Sequence, residues 1–317
     1  MKLSGLHILL TYQCTYECDH CFVWGSPRQK GVLAIEQVEL ILRQAKDAGV
    51  DWIYFEGGEP FLYYAVLVKG VKMAAEMGFQ VGIVSNAYWA TTVADAAEWL
   101  QPFAGRVADL TVSSDLYHCE KRLGENPQNA MVAAKWLNIQ TGMISVAQPG
   151  GFVPPERHPA SSKLAGQPEA EDASQTHDQI GEQGAVMFRG RAAHNLAAHA
   201  PHEAWDDFTE CPHEDLCEPG RVHLDPLGNL HICQGLVIGN VFEKPLKEIC
   251  ESYNADAHPI CGPLLAGGPA DLVTEYNLPH RATYADACHL CYEMRLALRE
   301  KFPKILTPDQ MYGVELA

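Results

Sequence analysis

The feature that most constrains this chain is a group of three cysteines near its start. Cys14, Cys18 and Cys21 lie in the stretch YQCTYECDHCF at residues 12–22, directly after an apolar run at residues 6–10. Three thiolates on one tight loop suit a thiophilic metal centre. A [4Fe–4S] cluster normally takes four cysteines, so three would leave one iron open to a ligand that is not protein. A tetrahedral zinc site would need a fourth ligand, for which His20 is the local candidate, and disulfide pairing would leave one of the three cysteines over.

Composition places the chain among soluble globular proteins. It has 317 residues, 47% hydrophobic and 20% charged, enough for about two domains. No apolar run approaches the roughly 20 residues of a membrane-spanning helix. The start has no signal-peptide cleavage pattern and the 11 cysteines are clustered, which predicts a cytoplasmic, metal-binding protein without a membrane partner. The net charge of −17 argues against nucleic acid as a partner.

Strand and helix patterns alternate up to about residue 200. Strands are predicted at residues 6–12, 51–56, 80–85, 107–113, 141–147 and 185–189, and helices at 35–48, 66–77, 93–100 and 129–139. This alternation is typical of parallel βαβ units, and by itself it leaves open a partial barrel and a doubly wound sheet. Residues 149–184 are rich in Gly, Pro, Ser, Gln and acidic residues, so we expect a flexible insertion there.

Short polar motifs follow four of the predicted strands. They read GGEP at residues 57–60, SNA at 85–87, SSD at 113–115 and GRA at 190–192. In parallel barrels, function gathers on the loops that follow the strands. Together with the three-cysteine loop, these motifs resemble the radical S-adenosylmethionine (SAM) superfamily. The resemblance implies an α/β fold whose residues 1–200 form a partial (β/α)6 TIM-like barrel, in which the three cysteines hold a [4Fe–4S] cluster and SAM chelates its open iron.

The resemblance also implies which residues bind SAM. They are Phe22, Gly57, Gly58, Glu59, Pro60, Ser85, Asn86, Ser113, Asp115 and Arg191. The GGEP loop would hold the methionine amino group, Ser113 and Asp115 the ribose, and Arg191 the carboxylate. Some of these residues could instead have purely structural roles. The SNA motif could be an ordinary polar turn, Ser113 and Asp115 could cap a helix, and Arg191 could be a structural arginine.

A second group of cysteines lies in the last third of the chain. Its members are Cys211, Cys217, Cys233, Cys288 and Cys291. The third of these ends a predicted hairpin at residues 221–233, and the last two form a C-x2-C pair at a predicted helix start. On chemical grounds such a group could equally hold zinc. The spacing resembles the twitch form of the SPASM extension, which implies a small α+β domain at residues 205–317 with one auxiliary [4Fe–4S] cluster. Cys211, Cys217 or both would complete the ligand set.

The resemblance implies an enzyme that reductively cleaves SAM to a 5′-deoxyadenosyl radical, which abstracts a hydrogen from substrate. The auxiliary cluster would serve a net oxidation or another modification of a peptide or small metabolite, and the electron donor would be a flavodoxin or ferredoxin. One alternative is a radical epimerase in which Cys119, after the fourth strand, returns a hydrogen atom. Another is a non-catalytic binding protein stabilised by zinc or a cluster. The 14 histidines show no ligand spacing.

Overall fold

The computed structural model describes residues 1–118, 124–150 and 184–314, so Cys119 and most of the predicted insertion lie outside the described residues. The first part contains β1 (Gly5–Leu9), α1 (Ile35–Asp47), β2 (Trp52–Glu56), α2 (Tyr64–Glu76), β3 (Gln80–Ser85), α3 (Val93–Leu100), β4 (Asp109–Ser113), α4 (Glu125–Trp136) and β5 (Gln140–Ile144). The second part contains α5 (Arg191–Asn195), β6 (Glu203–Ala204), β7 (Arg221–Leu224), β8 (Asn229–Cys233), β9 (Leu236–Asn240), α6 (Leu246–Ser252), α7 (Cys261–Tyr276), β10 (Thr283–Tyr284) and α8 (Ala287–Leu298). The predicted alternation is confirmed for the first five strands and the four helices between them.

Eight strands form one sheet, in the order β5-β4-β3-β2-β1-β7-β8-β9. Strands β1 to β5 are parallel, and β7 lies parallel to β1 on its other side. Strands β8 and β9 continue the sheet in antiparallel fashion. This mixed α/β fold, with its open run of parallel strands, resembles a partial TIM barrel and confirms the predicted fold class.

Side chains alternate along the strands between the face that packs against the helices and the inner face of the barrel. On β1, Leu6 and Ile8 are fully buried in the main hydrophobic core. Helix α1 covers that core with residues spaced three or four apart, among them Val38 and Ile41. Because successive strand residues point to opposite faces, His7 is directed away from this core. The inner face of the barrel is therefore free to carry polar side chains.

The predicted sixth strand at residues 185–189 is wrong. This segment touches the sheet through one parallel bridge between Val146 and Gly184. Beyond the bridge its amide groups are directed elsewhere: Phe188 N donates to Asp286 Oδ2 at 3.2 Å, and Arg189 N to Met187 O at 2.8 Å. A β-strand needs those amides for hydrogen bonds to its neighbour, so this segment is not a strand. Its residues 185–187 and 189 line the cavity of the barrel instead.

The two parts of the chain share a sheet and a core. A second hydrophobic cluster contains Leu9 and Val23 from the first part together with Leu290 of α8. Tyr12 also donates its hydroxyl to Asp225 Oδ2, 2.8 Å away, in the turn between β7 and β8. The hairpin of the second part thus continues the first part's sheet across the predicted boundary near residue 200. Within the described ranges, no helix has the length and apolar character needed to cross a lipid bilayer.

Candidate active site and cysteine centres

A cavity of about 410 Å³ lies at the ends of the parallel strands. The three cysteines of the first loop line it, and so do six of the ten residues predicted to bind SAM: Phe22, Gly57, Gly58, Ser85, Asn86 and Ser113. The other four, Glu59, Pro60, Asp115 and Arg191, are buried and do not line it. The structure thus gathers motifs from four separate loops, with some members facing the cavity and others behind its wall.

The two glycines of the GGEP motif let this loop pass against the segment that leads to Cys14. A Cβ atom on Gly57 would lie 2.4 Å from Thr11 O, and one on Gly58 would lie 2.2 Å from Gln13 O. Hydrogen bonds replace those clashes, because Gly58 N donates to Thr11 O at 2.7 Å and Glu59 N to Gln13 O at 2.8 Å. Only glycine permits so close an approach. The motif therefore holds the cysteine loop at a set distance from the end of β2.

Glu59 braces the loops rather than facing the cavity. It is fully buried, and its Oε1 accepts hydrogen bonds from Phe61 N at 3.1 Å and Ser85 Oγ at 2.9 Å. Its Oε2 accepts from Asn86 N at 2.8 Å, and Asn86 Nδ2 in turn lies 3.5 Å from Cys14 Sγ. Burial raises the pKa of Glu59 to about 7, against the lowering effect of these hydrogen bonds. Its contacts support a positioning role for the GGEP and SNA loops.

Asp115 reaches the cavity through a histidine that the sequence did not single out. Its carboxylate is fully buried and accepts hydrogen bonds from Tyr117 N at 2.9 Å and Val146 N at 3.2 Å. Its Oδ1 lies 2.8 Å from His118 Nδ1, and His118 lines the cavity. Burial alone would raise the pKa of Asp115, but the hydrogen bond and charge of His118 hold it below its ordinary value. Asp115 thus orients an imidazole that lies beside Cys18.

Arg191 holds the cysteine loop together. Its Nη1 donates to Cys18 O at 2.7 Å, and its Nη2 to Gly25 O at 2.9 Å. The preceding Gly190 has φ +60°, and a Cβ there would lie 2.7 Å from Phe22 Cα. The GRA motif is therefore packed directly on the loop, and the contacts of Arg191 are those of the structural arginine that the sequence left open.

The second cysteine group converges from separate segments. Four cysteines line a small cavity of about 20 Å³: Cys211, Cys233, Cys288 and Cys291. Cys217 is exposed and does not line this cavity. Of the two cysteines before β7 that the sequence offered, the geometry therefore favours Cys211.

Two arginines with no role assigned from the sequence border this small cavity. Arg189 Nη1 lies 3.1 Å from Cys233 Sγ and 2.9 Å from Glu214 Oε1, and Arg295 is fully buried. The Nε atoms of both arginines are buried without a hydrogen-bond partner in the part of the chain that the structure describes. A [4Fe–4S] cluster on four thiolates carries a net charge on the order of −2 and offers sulfur acceptors. The donor set and the two guanidinium groups fit such a cluster.

The spacing of the thiols also bears on the zinc alternative. In the described ranges there are three groups of His, Cys, Asp or Glu side chains whose ligand atoms all lie within 4.8 Å of one another. Neither the three cysteines of the first loop nor the four cysteines of the second group form such a set. In a tetrahedral zinc site with Zn–S bonds of about 2.3 Å, the sulfurs lie about 3.8 Å apart. Both cysteine centres are wider than one zinc ion requires, which favours a multi-iron cluster in each.

Comparison with known proteins agrees with this geometry. Residues 8–115, which carry the cysteine loop, the GGEP loop and Asp115, match the family model of the radical SAM superfamily. They are a radical SAM domain. The family to which this domain belongs uses SAM and a [4Fe–4S] cluster, as predicted from the motifs.

The radical SAM domain is similar to parts of curated proteins. The chain is 31% identical over 120 residues to the putative peptide biosynthesis protein YydG of Bacillus subtilis (strain 168), covering 37% of this chain and 38% of that one. It is 31% identical over 119 residues to the S-adenosylmethionine-dependent nucleotide dehydratase RSAD2 of Danio rerio, covering 36% and 31% of the two chains. The chain thus spans less than half the length of these relatives.

A likeness to one solved structure extends over almost the whole chain. The structure of hexahistidine-tagged anSMEcpe with bound AdoMet matches with a TM-score of 0.50 at 12% identity, covering 96% of this chain and 98% of that one. At this identity the match speaks for the fold alone. It shows that the radical SAM domain and the region after it are arranged as in a known architecture.

The cavity of the radical SAM domain also gathers residues that sequence reasoning missed. His7, Glu56 and His223 line it together, although the histidines showed no ligand spacing in the sequence. The sequence signal that could have found them was the alternation of buried and inward-facing residues along each strand. His7 occupies an inward position of β1, and Glu56 is the last residue of β2. Strand β7, which carries His223, was not expected to pair with β1. The sequence therefore could not predict that His223 joins His7 and Glu56.

Proposed function

We propose that this chain is a radical SAM enzyme that carries out a net oxidation or related modification of a peptide or small metabolite, assisted by an auxiliary [4Fe–4S] cluster. When bound, SAM and the two clusters would supply a 5′-deoxyadenosyl radical that takes hydrogen from substrate and an acceptor for the electron left behind. One observation carries the proposal: two cysteine centres flank Arg189, which lines both cavities.

The residues of the first cavity fall into two groups: those that would bind the cluster and SAM, and buried residues that would support them. Cys14, Cys18 and Cys21 would ligate a cluster whose open iron faces the cavity, since all three line it. Gly57 and Gly58 expose backbone there, and Asn86 and Ser113 add polar side chains, a set suited to the amino, carboxylate and ribose groups of SAM. The buried Glu59, Asp115 and Arg191 would keep those groups in place, as their hydrogen bonds within the protein indicate.

The second cavity would hold a cluster and has space for little else. Cys211, Cys233, Cys288 and Cys291 would complete a four-cysteine set, which leaves no iron for SAM. The surrounding space of about 20 Å³ is far smaller than the first cavity, so substrate would bind in the barrel. Electron transfer is the role that remains for a closed cluster next to a substrate site. A flavodoxin or ferredoxin would supply the electron that starts the reaction.

Two substrate classes have named precedents among the relatives. YydG of B. subtilis is described as a putative peptide biosynthesis protein, and RSAD2 of D. rerio as a nucleotide dehydratase. A cavity of about 410 Å³ lies within the roughly 300–1,000 Å³ range of small-molecule sites. It would accommodate a metabolite or one side chain of a peptide beside SAM.

The proposal is tested by measuring the iron content of the protein and the conversion of SAM to 5′-deoxyadenosine. Protein reconstituted anaerobically should hold about eight irons as two [4Fe–4S] clusters and should convert SAM to 5′-deoxyadenosine when dithionite is added. In the reduced protein, SAM should alter the electron paramagnetic resonance signal of one cluster and leave the other unchanged. Saturation at four irons, or stoichiometric zinc in the second centre, would refute the auxiliary cluster. Absence of 5′-deoxyadenosine from protein with a full first cluster would favour the binding-protein alternative.

A further inference from the structure

Two histidines and a glutamate meet on the inner face of the sheet, where β2, β1 and β7 lie side by side. His7 and His223 are directly opposite each other in the β1–β7 pairing, and Glu56 ends the neighbouring β2. Glu56 Oε2 lies 3.4 Å from His7 Nδ1, and Glu56 Oε1 lies 3.1 Å from His223 Nε2. One ligand atom from each of the three residues lies within 4.8 Å of the other two. The cluster belongs to none of the motifs used above.

The separations are those of ligands around one metal ion. With bonds of about 2.0–2.1 Å, neighbouring ligand atoms lie about 3.3 Å apart in a tetrahedron and about 2.9 Å apart in an octahedron. The observed 3.4 and 3.1 Å are close to these values and start from different oxygens of Glu56, so the carboxylate would ligate through both oxygens or turn to present one. Two histidines with one carboxylate form the ligand set of open catalytic zinc sites and of non-haem iron sites. Such sites keep at least one coordination position for a molecule that is not protein.

Hydrogen bonding within the cluster does not explain the arrangement. His7 Nδ1 and Glu56 Oε1 are close to partners, yet both are buried atoms without a hydrogen bond of acceptable geometry in the described part of the chain. Ring contacts fix the planes of the imidazoles: Tyr54 stacks on His7 at 4.8 Å between ring centroids, and Phe22 packs edge-on against His223 at 5.6 Å. The rings are thus held in place, and two of the ligand atoms, His7 Nδ1 and Glu56 Oε1, lack the partner that a cation would provide.

We propose that His7, Glu56 and His223 bind one divalent transition-metal ion, such as zinc, in the lumen of the barrel. All three residues line the 410 Å³ cavity, and their side chains remain 14–16% exposed to it. The open coordination position therefore faces the space that holds SAM and substrate. It takes an oxygen or nitrogen donor of the substrate, which would orient the substrate for hydrogen abstraction.

Zinc uptake by the reconstituted holoprotein tests this site without any substrate. Chelator-washed protein with both clusters in place is dialysed anaerobically against buffered Zn²⁺, and zinc and iron are measured together. The expected result is one zinc per chain in addition to the cluster iron. X-ray absorption at the zinc edge should show nitrogen and oxygen ligands at about 2.0–2.1 Å and no sulfur at about 2.3 Å.

Matched variants assign the metal to these side chains. His223→Ala and Glu56→Gln should each weaken zinc binding at least tenfold while keeping the iron content of the wild type. His280→Ala, which alters an exposed histidine, should change neither value. A wild-type protein that takes up no zinc overturns the proposal whatever the variants do. Zinc bound to sulfur, or zinc retained at full affinity by both iron-replete variants, overturns it as well. None of these outcomes depends on SAM cleavage, so failure here is distinct from failure of the proposed function.

Discussion

The two cysteine centres of this protein are built in opposite ways. The first takes three cysteines from one eight-residue stretch, and they border a cavity of about 410 Å³. The second takes four cysteines from the loop before β7, the end of β8 and the first turn of α8, and they border about 20 Å³. A centre made from one loop is incomplete and faces space for a ligand. A centre made from several segments is complete and enclosed, and its formation depends on the fold around it.

The surroundings of the two centres differ in the same sense. Around the first, the GGEP loop and Asn86 bring polar backbone and side-chain groups to the cavity surface. Around the second, Arg189 and Arg295 bring buried positive charge to the sulfurs, without further space for a substrate. Arg189 lines both cavities and also stacks over Phe22, at 5.5 Å from its ring. Under the proposed function, the open centre would bind and cleave SAM and the closed one would store an electron.

The largest expected effect comes from removing one centre at a time. Changing Cys14, Cys18 and Cys21 together to alanine should remove about half the iron and abolish 5′-deoxyadenosine formation. Changing Cys288 and Cys291 to alanine should also remove about half the iron, yet leave 5′-deoxyadenosine formation under dithionite largely intact. The reason is that, in the proposed function, only the three-cysteine centre would leave an iron open to SAM. Iron analysis and chromatography of the quenched reaction measure both values.

Losing a structural metal can unfold a small region, so folding must be checked before these results are compared. Circular dichroism and size-exclusion chromatography should match the wild type for both variants. Equal loss of SAM cleavage in two folded variants would contradict the division of labour between the centres.

A smaller effect should distinguish the two cysteines that precede β7. Cys211→Ser should lower the iron of the second centre by at least half, because Cys211 lines its cavity. Cys217→Ser is the matched control, and it should retain about eight irons because Cys217 is exposed. Iron loss in the Cys217 variant together with a full complement in the Cys211 variant would reverse the assignment.

The smallest expected effect concerns the charge beside the closed centre. Arg189→Gln removes a cation whose Nη1 lies 3.1 Å from Cys233 Sγ, so the oxidised cluster should be favoured. We expect the midpoint potential of the second cluster to fall by roughly 60 mV, the one-electron equivalent of about 1.4 kcal/mol. Arg189→Lys keeps the charge and should restore part of the shift. Spectroelectrochemical titration would contradict the idea if the Gln and Lys variants had the same potential as the wild type.

The sequence was sufficient for features that are local along the chain. The three-cysteine loop, the GGEP motif and the four βα repeats are each contained in a short stretch, and their periodicity and spacing are set by the geometry of strands and turns. That is why the strand–helix alternation and the motifs on the following loops could be read from the sequence, whereas the choice of a partial barrel over a doubly wound sheet came from the family resemblance. The segment at residues 185–189 shows the limit, because an apolar pattern does not reveal that Phe188 N donates to Asp286 instead of a sheet neighbour.

Only the tertiary structure decided which distant residues meet. Cys211 and Cys217 have similar sequence surroundings, and packing alone places one at the second cavity and leaves the other in solvent. Glu59 and Arg191 match family motifs, yet the fold turns both toward protein groups. His7, Glu56 and His223 converge because β7 joins the sheet beside β1. Pairing between strands more than 200 residues apart depends on which edge is open after the rest has packed, and no local pattern carries that information.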